Sequence, residues 1–402
     1  MKNTWMKYMV GLFFWMGFSP VLLSQTDVQR GEYPESFWIK SLTDSLHLLL
    51  QDELFSTSQV GISVYDLTDD TLLFAHNARQ RMRPASTEKI LTAITALEEL
   101  GTDYKFFTKL YIDGEIRGGA LHGDVYVKGG FDPTFGRTDL QGFVEALVSR
   151  NIKSVKGALC ADVSMKDTLK WGIGWCWDDD NPDLTPLLLG GKDVFLTRFE
   201  QALKKKGIHI GVLKKAECPS DAVLLKSIST PIDKVLGRMM KESDNLYAEA
   251  VFYALAAKDG KPYASRKEAM YSIEKMIGFL GFEPAKYRVA DGSGLSLYNY
   301  LTSELETALL RYAFSRQEIF TSFYESLPIA GVDGTLKKRM IDTPAFNNVR
   351  AKTGTLTGVY SLAGYATAAN GHQLAFCIIN QGVESASEAR AFQDKVCVLL
   401  CK

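Results

Sequence analysis

The sequence predicts an α+β protein: about five antiparallel strands flanked by helices, interrupted by an α/β insert. Three observations predict it. A strand pair near the N-terminus, alternating over Val60 to Tyr65, and three strand-like runs near the C-terminus supply the sheet. Helical runs at 35–54 and 384–401 bracket them. From about 103 to 225 short strands alternate with helices, the texture of a separate α/β unit.

Taken in order, residues 35–54 place Phe37, Leu42, Leu46, Leu49 and Leu50 on one side of a helix. Val60 to Tyr65 alternates as a strand, Asp69-Asp70 marks a turn, and Leu72 to Ala75 returns as its partner. A helix begins at Pro84-Ala85-Ser86, buries Ile90, Leu91, Ile94 and Leu97, and stops at Gly101. The insert then shows strands at Phe106–Ile112, Gly123–Lys128, 157–163 and His209–Leu213, with helices near 140–150 and at Phe195–Lys206. A loop with Trp171, Trp175 and Trp177 lies among them. Helices follow at Ile232–Met240, from Ser243-Asp244-Asn245 to about Ala257, and over roughly 264–280. Asn348–Thr355, Val359–Thr367 and His372–Asn380 read as three antiparallel strands, with Asn370-Gly371 as the last hairpin turn.

Composition narrows the class of function. The chain has 402 residues, 46% hydrophobic and 23% charged, with Lys+Arg 46 against Asp+Glu 47. This excludes disorder and coiled coil. A net charge of −1 offers no basic surface for nucleic acid or anionic lipid. Residues 1–24 read as a signal peptide: Lys2 and Lys7 precede an uncharged run from Tyr8 to Phe18, broken by Ser19-Pro20. The run is too short to span a bilayer comfortably, so a periplasmic or otherwise exported protein with no integral membrane span is expected. The alternative is an uncleaved anchor. The six cysteines contain no C-x-x-C and are expected as buried free thiols, Cys160–Cys176 being the one pair to check. The five histidines are scattered without metal-ligand spacing, so neither a metal nor a cofactor is expected.

Ser86-Thr87-Glu88-Lys89 puts a hydroxyl and an amine on one face of a helix's first turn. A serine needs a neighbouring base to act as a nucleophile, and a buried lysine beside positive charge can be that base. Alone the spacing carries little: Ser272-Ile-Glu-Lys275 repeats it inside a helix. Ser243-Asp244-Asn245 offers a second hydroxyl for proton relay and an amide for a substrate carbonyl, or simply an N-cap. Lys352-Thr353-Gly354-Thr355 lies on a strand where lysine and hydroxyls can receive a carboxylate, with Gly354 permitting close backbone approach, or is merely a strand end. The order S-x-x-K, S-D-N, K-T-G is the signature set of penicillin-binding proteins and serine β-lactamases, and the Ser272 repeat falls out of order.

With these motifs, the chain resembles the D-alanyl-D-alanine carboxypeptidase/endopeptidase family, the class C penicillin-binding proteins. Similar too are Gly129–Thr134, Gly174–Asp179, Asp291–Ser296 and Ala330–Leu336, so the resemblance covers about 59 to 381. It implies a serine β-lactamase/DD-peptidase-like transpeptidase domain over 25–102 and 226–402, with an inserted domain at 103–225. It implies that Ser86 attacks the carbonyl of a terminal D-alanine, that Lys89 takes its proton, and that Ser243 passes a proton to the leaving group. Asn245 would steady the acyl amide, Lys352 supply positive potential, and Thr353 and Thr355 hold the substrate carboxylate. Backbone N–H groups of Ser86 and Thr355 would form the oxyanion hole. The implied partners are peptidoglycan stem peptides, with β-lactam antibiotics as covalent inhibitors. Asp162 resembles a family position on the insert that recognises the amino end of the stem peptide. Ser293, between glycines but outside a G-x-S-x-G elbow, is expected to be a structural turn.

Two rival functions use the same residues. A β-lactamase shares the three motifs, but no E-x-x-L-N loop of the class A enzymes follows S-D-N here. A catalytically idle peptidoglycan-binding scaffold has no need to keep Ser86, Lys89, Ser243 and Lys352 together.

Overall fold

The computed structural model describes residues 35–402, so the expected signal peptide lies outside the described residues. The chain runs α1 (Glu35–Leu49), β1 (Gln59–Asp66), β2 (Thr71–His76), α2 (Glu88–Leu100), β3 (Lys105–Arg117), β4 (Ala120–Gly129), α3 (Arg137–Ser149) and β5 (Ser154–Asp162). It continues through α4 (Phe195–Lys205), β6 (His209–Lys215), β7 (Val223–Pro231), α5 (Ile232–Lys241), α6 (Asn245–Ala257) and α7 (Arg266–Phe279). The last elements are α8 (Ser303–Ser315), α9 (Gln317–Ser326), β8 (Arg350–Leu356), β9 (Val359–Thr367), β10 (Gln373–Gln381) and α10 (Ala386–Leu400).

The first sheet has the order β2-β1-β10-β9-β8, antiparallel throughout. The alternation of strand side chains explains how it is covered on both faces. Leu374, Phe376 and Ile378 of β10 pack with Leu42 and Leu46 of α1 and Phe392 and Val396 of α10. Ala375, Cys377 and Ile379 face the opposite way, into a core shared with α2, α5, α6 and α8. Phe37, expected on the buried side of the first helix, is 55% exposed. The last hairpin is wider than an Asn-Gly two-residue turn. Gly371 N–H donates to the Ala368 carbonyl, and Gly371 itself takes φ 93, the left-handed residue of a three-residue loop.

The second sheet has the order β6-β5-β4-β3-β7 and is mixed, with β4, β5 and β6 parallel. Phe143 and Leu147 of α3 and Phe199 and Leu203 of α4 cover one of its faces against Leu110, Val125 and Leu159. Its entering and leaving strands are neighbours, from Lys105 opposite Pro231 to Ile112 opposite Val223. The insert boundary expected at 225 therefore falls inside β7, and the sheet runs on to Pro231. This mostly exposed edge strand lacks the alternation that marked the others. The helices α8 and α9 likewise lie in a stretch where the sequence reading placed no element. Among the described residues all six cysteines are free, including Cys160 and Cys176, and no helix is long and apolar enough to cross a membrane.

Candidate active site

The three motifs meet between the first sheet's edge strand and the N-termini of α2 and α6. Ser86 sits in a 3-10 turn (Ala85–Thr87) that runs into α2, one turn before Lys89. Ala85 takes φ 50, a conformation uncommon for a residue with a Cβ and met most often where the surrounding structure enforces it. Lys89 is fully buried, and its Nζ donates to Ser86 Oγ at 2.8 Å, Asn245 Oδ1 at 2.8 Å and the Ser293 carbonyl at 2.6 Å. Burial lowers its pKa to about 8, against the opposing pull of Asp291, Glu249, Asp244 and Glu88. A neutral Lys89 keeps two N–H donors for Asn245 and Ser293, and turns its lone pair on the Ser86 hydroxyl.

The S-D-N segment divides its labour. Asp244 is the N-cap of α6, its side chain accepting from Leu246 N at 3.1 Å. Capping therefore falls to the middle residue, which leaves Asn245 for Lys89 and Ser243 for Lys352. Ser243 holds φ 59, and Lys352 Nζ donates to its Oγ at 2.8 Å. Lys352 is also buried, with a second bond to the Thr353 carbonyl at 2.6 Å. Burial, then the charge of Lys89, depresses the Lys352 pKa well below the ordinary lysine range.

The β8 strand is the edge of the first sheet, its outer side bridged only at its start, where Arg350 faces Ile329. Ala351 N–H points away from β9, donating to the Pro328 carbonyl at 3.0 Å. Strand periodicity places the N–H groups of Thr353 and Thr355 on that same outer edge. Gly354 is required by the protein's own packing, where the sequence reading assigned it to substrate approach. A Cβ there would lie 2.1 Å from Ser361 Oγ, 2.8 Å from the Pro84 carbonyl and 2.9 Å from Ser86 N. The absent side chain lets the strand edge close on the turn that carries Ser86. Thr353 Oγ1 donates to Thr335 Oγ1 at 2.8 Å, bringing the Ala330–Leu336 segment to the site.

Asp162 stands apart. Its carboxylate is covered and accepts from Ser164 N at 2.9 Å, Ser164 Oγ at 2.5 Å and Cys218 N at 3.0 Å, with Lys128 at 3.6 Å. These bonds stay within the insert and none leads to the serine–lysine cluster. The out-of-order Ser272 and Lys275 both bind Glu99 in place of each other, at 2.6 and 3.3 Å. Potential metal ligands gather at Asp66, Asp69 and His372 and at Cys176, Asp178 and Asp179. None of them shares a hydrogen bond with the motif residues.

Sequence reasoning missed a buried acidic tier near Ser86 and Lys89. Glu88, Glu249 and Glu306 are at most 1% exposed. Burial raises all three, Glu249 to about 8 and Glu306 to about 7. Glu306 accepts from Thr87 Oγ1 at 2.7 Å and Cys377 Sγ at 3.4 Å. No local spacing marks Glu249 and Glu306, whose partners Gly292, Thr87 and Cys377 come from distant segments, and both carboxylate oxygens of Glu88 are buried without a hydrogen-bond partner.

Comparison with known proteins supplies the family. The family model described as the D-Ala-D-Ala carboxypeptidase 3 (S13) family matches residues 42–187 and 190–402. The D-alanyl-D-alanine carboxypeptidase DacB of Haemophilus influenzae is 27% identical, the alignment covering 81% of this chain and 86% of that one. The D-alanyl-D-alanine carboxypeptidase of Actinomadura sp. strain R39 is 25% identical, over 96% and 88%. The crystal structure of penicillin binding protein 4 (dacB) from Haemophilus influenzae superposes with a TM-score of 0.79 at 25% identity, covering 89% of this chain and 99% of its own. That protein has also been solved in complex with a β-lactam. A serine–lysine pair in this setting, on this fold, belongs to a serine hydrolase, and the chain is a member of the D-Ala-D-Ala carboxypeptidase 3 (S13) family.

Proposed function

We propose that the chain cleaves peptide bonds after D-alanine in peptidoglycan stem peptides by an acyl-enzyme on Ser86, outside the cytoplasm after signal peptide removal. One observation carries the assignment: the fully buried Lys89 amine stands 2.8 Å from Ser86 Oγ with its other bonds on Asn245 and Ser293. In this reading the Ser86 oxygen attacks the D-alanyl carbonyl carbon as its proton passes to Lys89. The N–H groups of Ser86 and Thr355 hold the developing oxyanion. Ser243, polarised by Lys352, delivers a proton to the departing amine as the C–N bond breaks. Thr353 and Thr355 receive the terminal carboxylate, and Asn245 orients the acyl amide. Water then hydrolyses the ester and returns Ser86 to its free form. The division into a catalytic unit and an insert belongs to the same reading, whereas the geometry of Asp162 lends no support to a substrate role.

A β-lactam reaches the same serine through its strained amide, which makes a fluorescent penicillin the direct probe. Covalent labelling of the wild type, abolished in Ser86→Ala, is the expected result. No label on the folded wild type overturns the assignment. Digestion of purified muropeptide monomers and cross-linked dimers then separates carboxypeptidase from endopeptidase activity: loss of mass from dimers only overturns the carboxypeptidase half.

A further inference from the structure

The amine of Lys89 leans on one backbone carbonyl outside the three motifs, that of Ser293 in the Asp291–Ser296 turn. This turn is held with unusual completeness. Asp291 is 2% exposed, and four donors fill its carboxylate: Gly294 N at 2.8 Å and Asn299 Nδ2 at 2.8 Å on one oxygen, Ser296 N at 2.6 Å and Trp175 Nε1 at 2.8 Å on the other. Gly292 N donates to Glu249 Oε1 at 3.1 Å, and its carbonyl accepts from Thr92 Oγ1 at 2.8 Å. The turn also presses on the nucleophile's side. A Cβ on Gly294, which has φ 79, would lie 1.9 Å from the Ala85 carbonyl.

Of the four donors to Asp291, three come from the turn itself and its near sequence. The fourth, Trp175, comes from the tryptophan loop between β5 and α4. Glycines let that loop lie flat on the turn. A Cβ on Gly174 would stand 2.5 Å from Ser296 Oγ, and one on Gly172 would stand 2.1 Å from the Trp175 ring. Trp175 is 7% exposed, whereas Trp171 and Trp177 beside it are 54% and 87% exposed. The loop thus has one inward indole fixed to the turn and two outward ones.

We propose that Trp175 and Asp291 are positioning residues for the catalytic lysine: the indole N–H locks the Asp291 carboxylate, and the locked turn presents the Ser293 carbonyl to Lys89. The proposal rests on the reading of Ser86 and Lys89 as the acylating pair. Neither residue touches the reacting atoms. Their effect falls on the acylation step, because a base out of place slows proton transfer without weakening the encounter complex.

The test uses the full chain and the time course of fluorescent penicillin acylation, resolved into a dissociation constant for the unacylated complex and an acylation rate constant. Trp175→Phe keeps the ring and removes the N–H. The expected result is a rate constant about tenfold lower, the size of one lost charge-assisted hydrogen bond, with the dissociation constant and circular dichroism unchanged. Asp291→Asn loses more, and the double variant W175F/D291N falls no further than D291N alone, since both changes break one unit. A wild-type rate constant in W175F overturns the proposal. So does additivity in the double variant, or a loss confined to the dissociation constant. These outcomes differ from failure of the acyl-enzyme reading, in which the wild type itself takes no label.

Discussion

Lys352 Nζ donates to Ser243 Oγ at 2.8 Å, joining two residues 109 positions apart. In the proposed mechanism this bond holds the hydroxyl that passes a proton to the leaving amine. Ser243→Ala removes the relay and leaves Asp244 capping α6. It should lower the acylation rate constant by about 10²-fold or more while the protein stays folded. A loss of less than threefold, measured with fluorescent penicillin, excludes Ser243 from proton transfer.

The amine of Lys89 acts as a base only when neutral. With its pKa lowered to about 8, chiefly by burial, acylation should rise with pH and level off above about pH 8. Below the bend the rate should fall about tenfold for each pH unit. The measurement is the second-order acylation rate across pH 6 to 10, a range chosen on about two units either side of that pKa. A flat profile removes Lys89 as the general base.

Glu306 has the opposite linkage. Burial raises its folded pKa to about 7, above the ordinary carboxyl value of 4.5. Between these values the folded state holds a proton that the unfolded chain has released. Its stabilising contribution is complete below about pH 4.5 and declines as pH rises through about 7. Urea midpoints should therefore fall over this window, and Glu306→Gln should flatten that part of the curve. An unchanged slope in the variant refutes the assignment.

Gly354→Ala tests the close approach of β8 to the nucleophile's turn. Its methyl group would meet Ser361 Oγ, the Pro84 carbonyl and Ser86 N, all within 2.9 Å. The strand edge must move out, and acylation should fall by about 10²-fold, with the protein still folded but destabilised by about 1–3 kcal/mol from overpacking. Wild-type acylation in this variant rules out the tight register between Ser86 and Thr355.

Six free thiols make a simple chemical prediction. Burial pushes Cys377 and Cys397 well above the usual thiol range and Cys401 up to about 12. Ellman's reagent should leave these three untouched in the native protein and count all six in guanidinium chloride. A dithiothreitol-dependent unfolding midpoint would reveal a disulfide and contradict the structure.

The motifs were legible because each is local: Ser86 to Lys89 is one helical turn, and strands such as β9 and β10 announce themselves by continuous apolar runs. The order of the three motifs then carried more information than any of them alone. What stayed hidden depends on contacts across the chain. The bond from Trp175 to Asp291 spans 116 positions, and Glu306 reaches Thr87 across 219. The exposed edge strand β7 has no apolar periodicity to betray it, so the end of the second sheet was read too early. Asp162 was placed by likeness of sequence, which carries no information about the backbone amides that fill its carboxylate.

The strand order of the first sheet also governs when the molecule can exist. Val60 pairs with Asn380, so a strand made early waits for one of the last to be made, while the second sheet closes entirely within Lys105–Pro231. The nucleophile's turn and its edge strand are parted in the same way, with Ser86 N lying against Gly354. A partly synthesised chain therefore holds all the strands of the second sheet but not the centre of the first, nor the edge strand that lies against Ser86. Long-range pairing of this kind folds slowly and late. Under the proposed mechanism, acylating competence arrives only once β10 has been made, and a chain truncated before β10 should take no fluorescent penicillin.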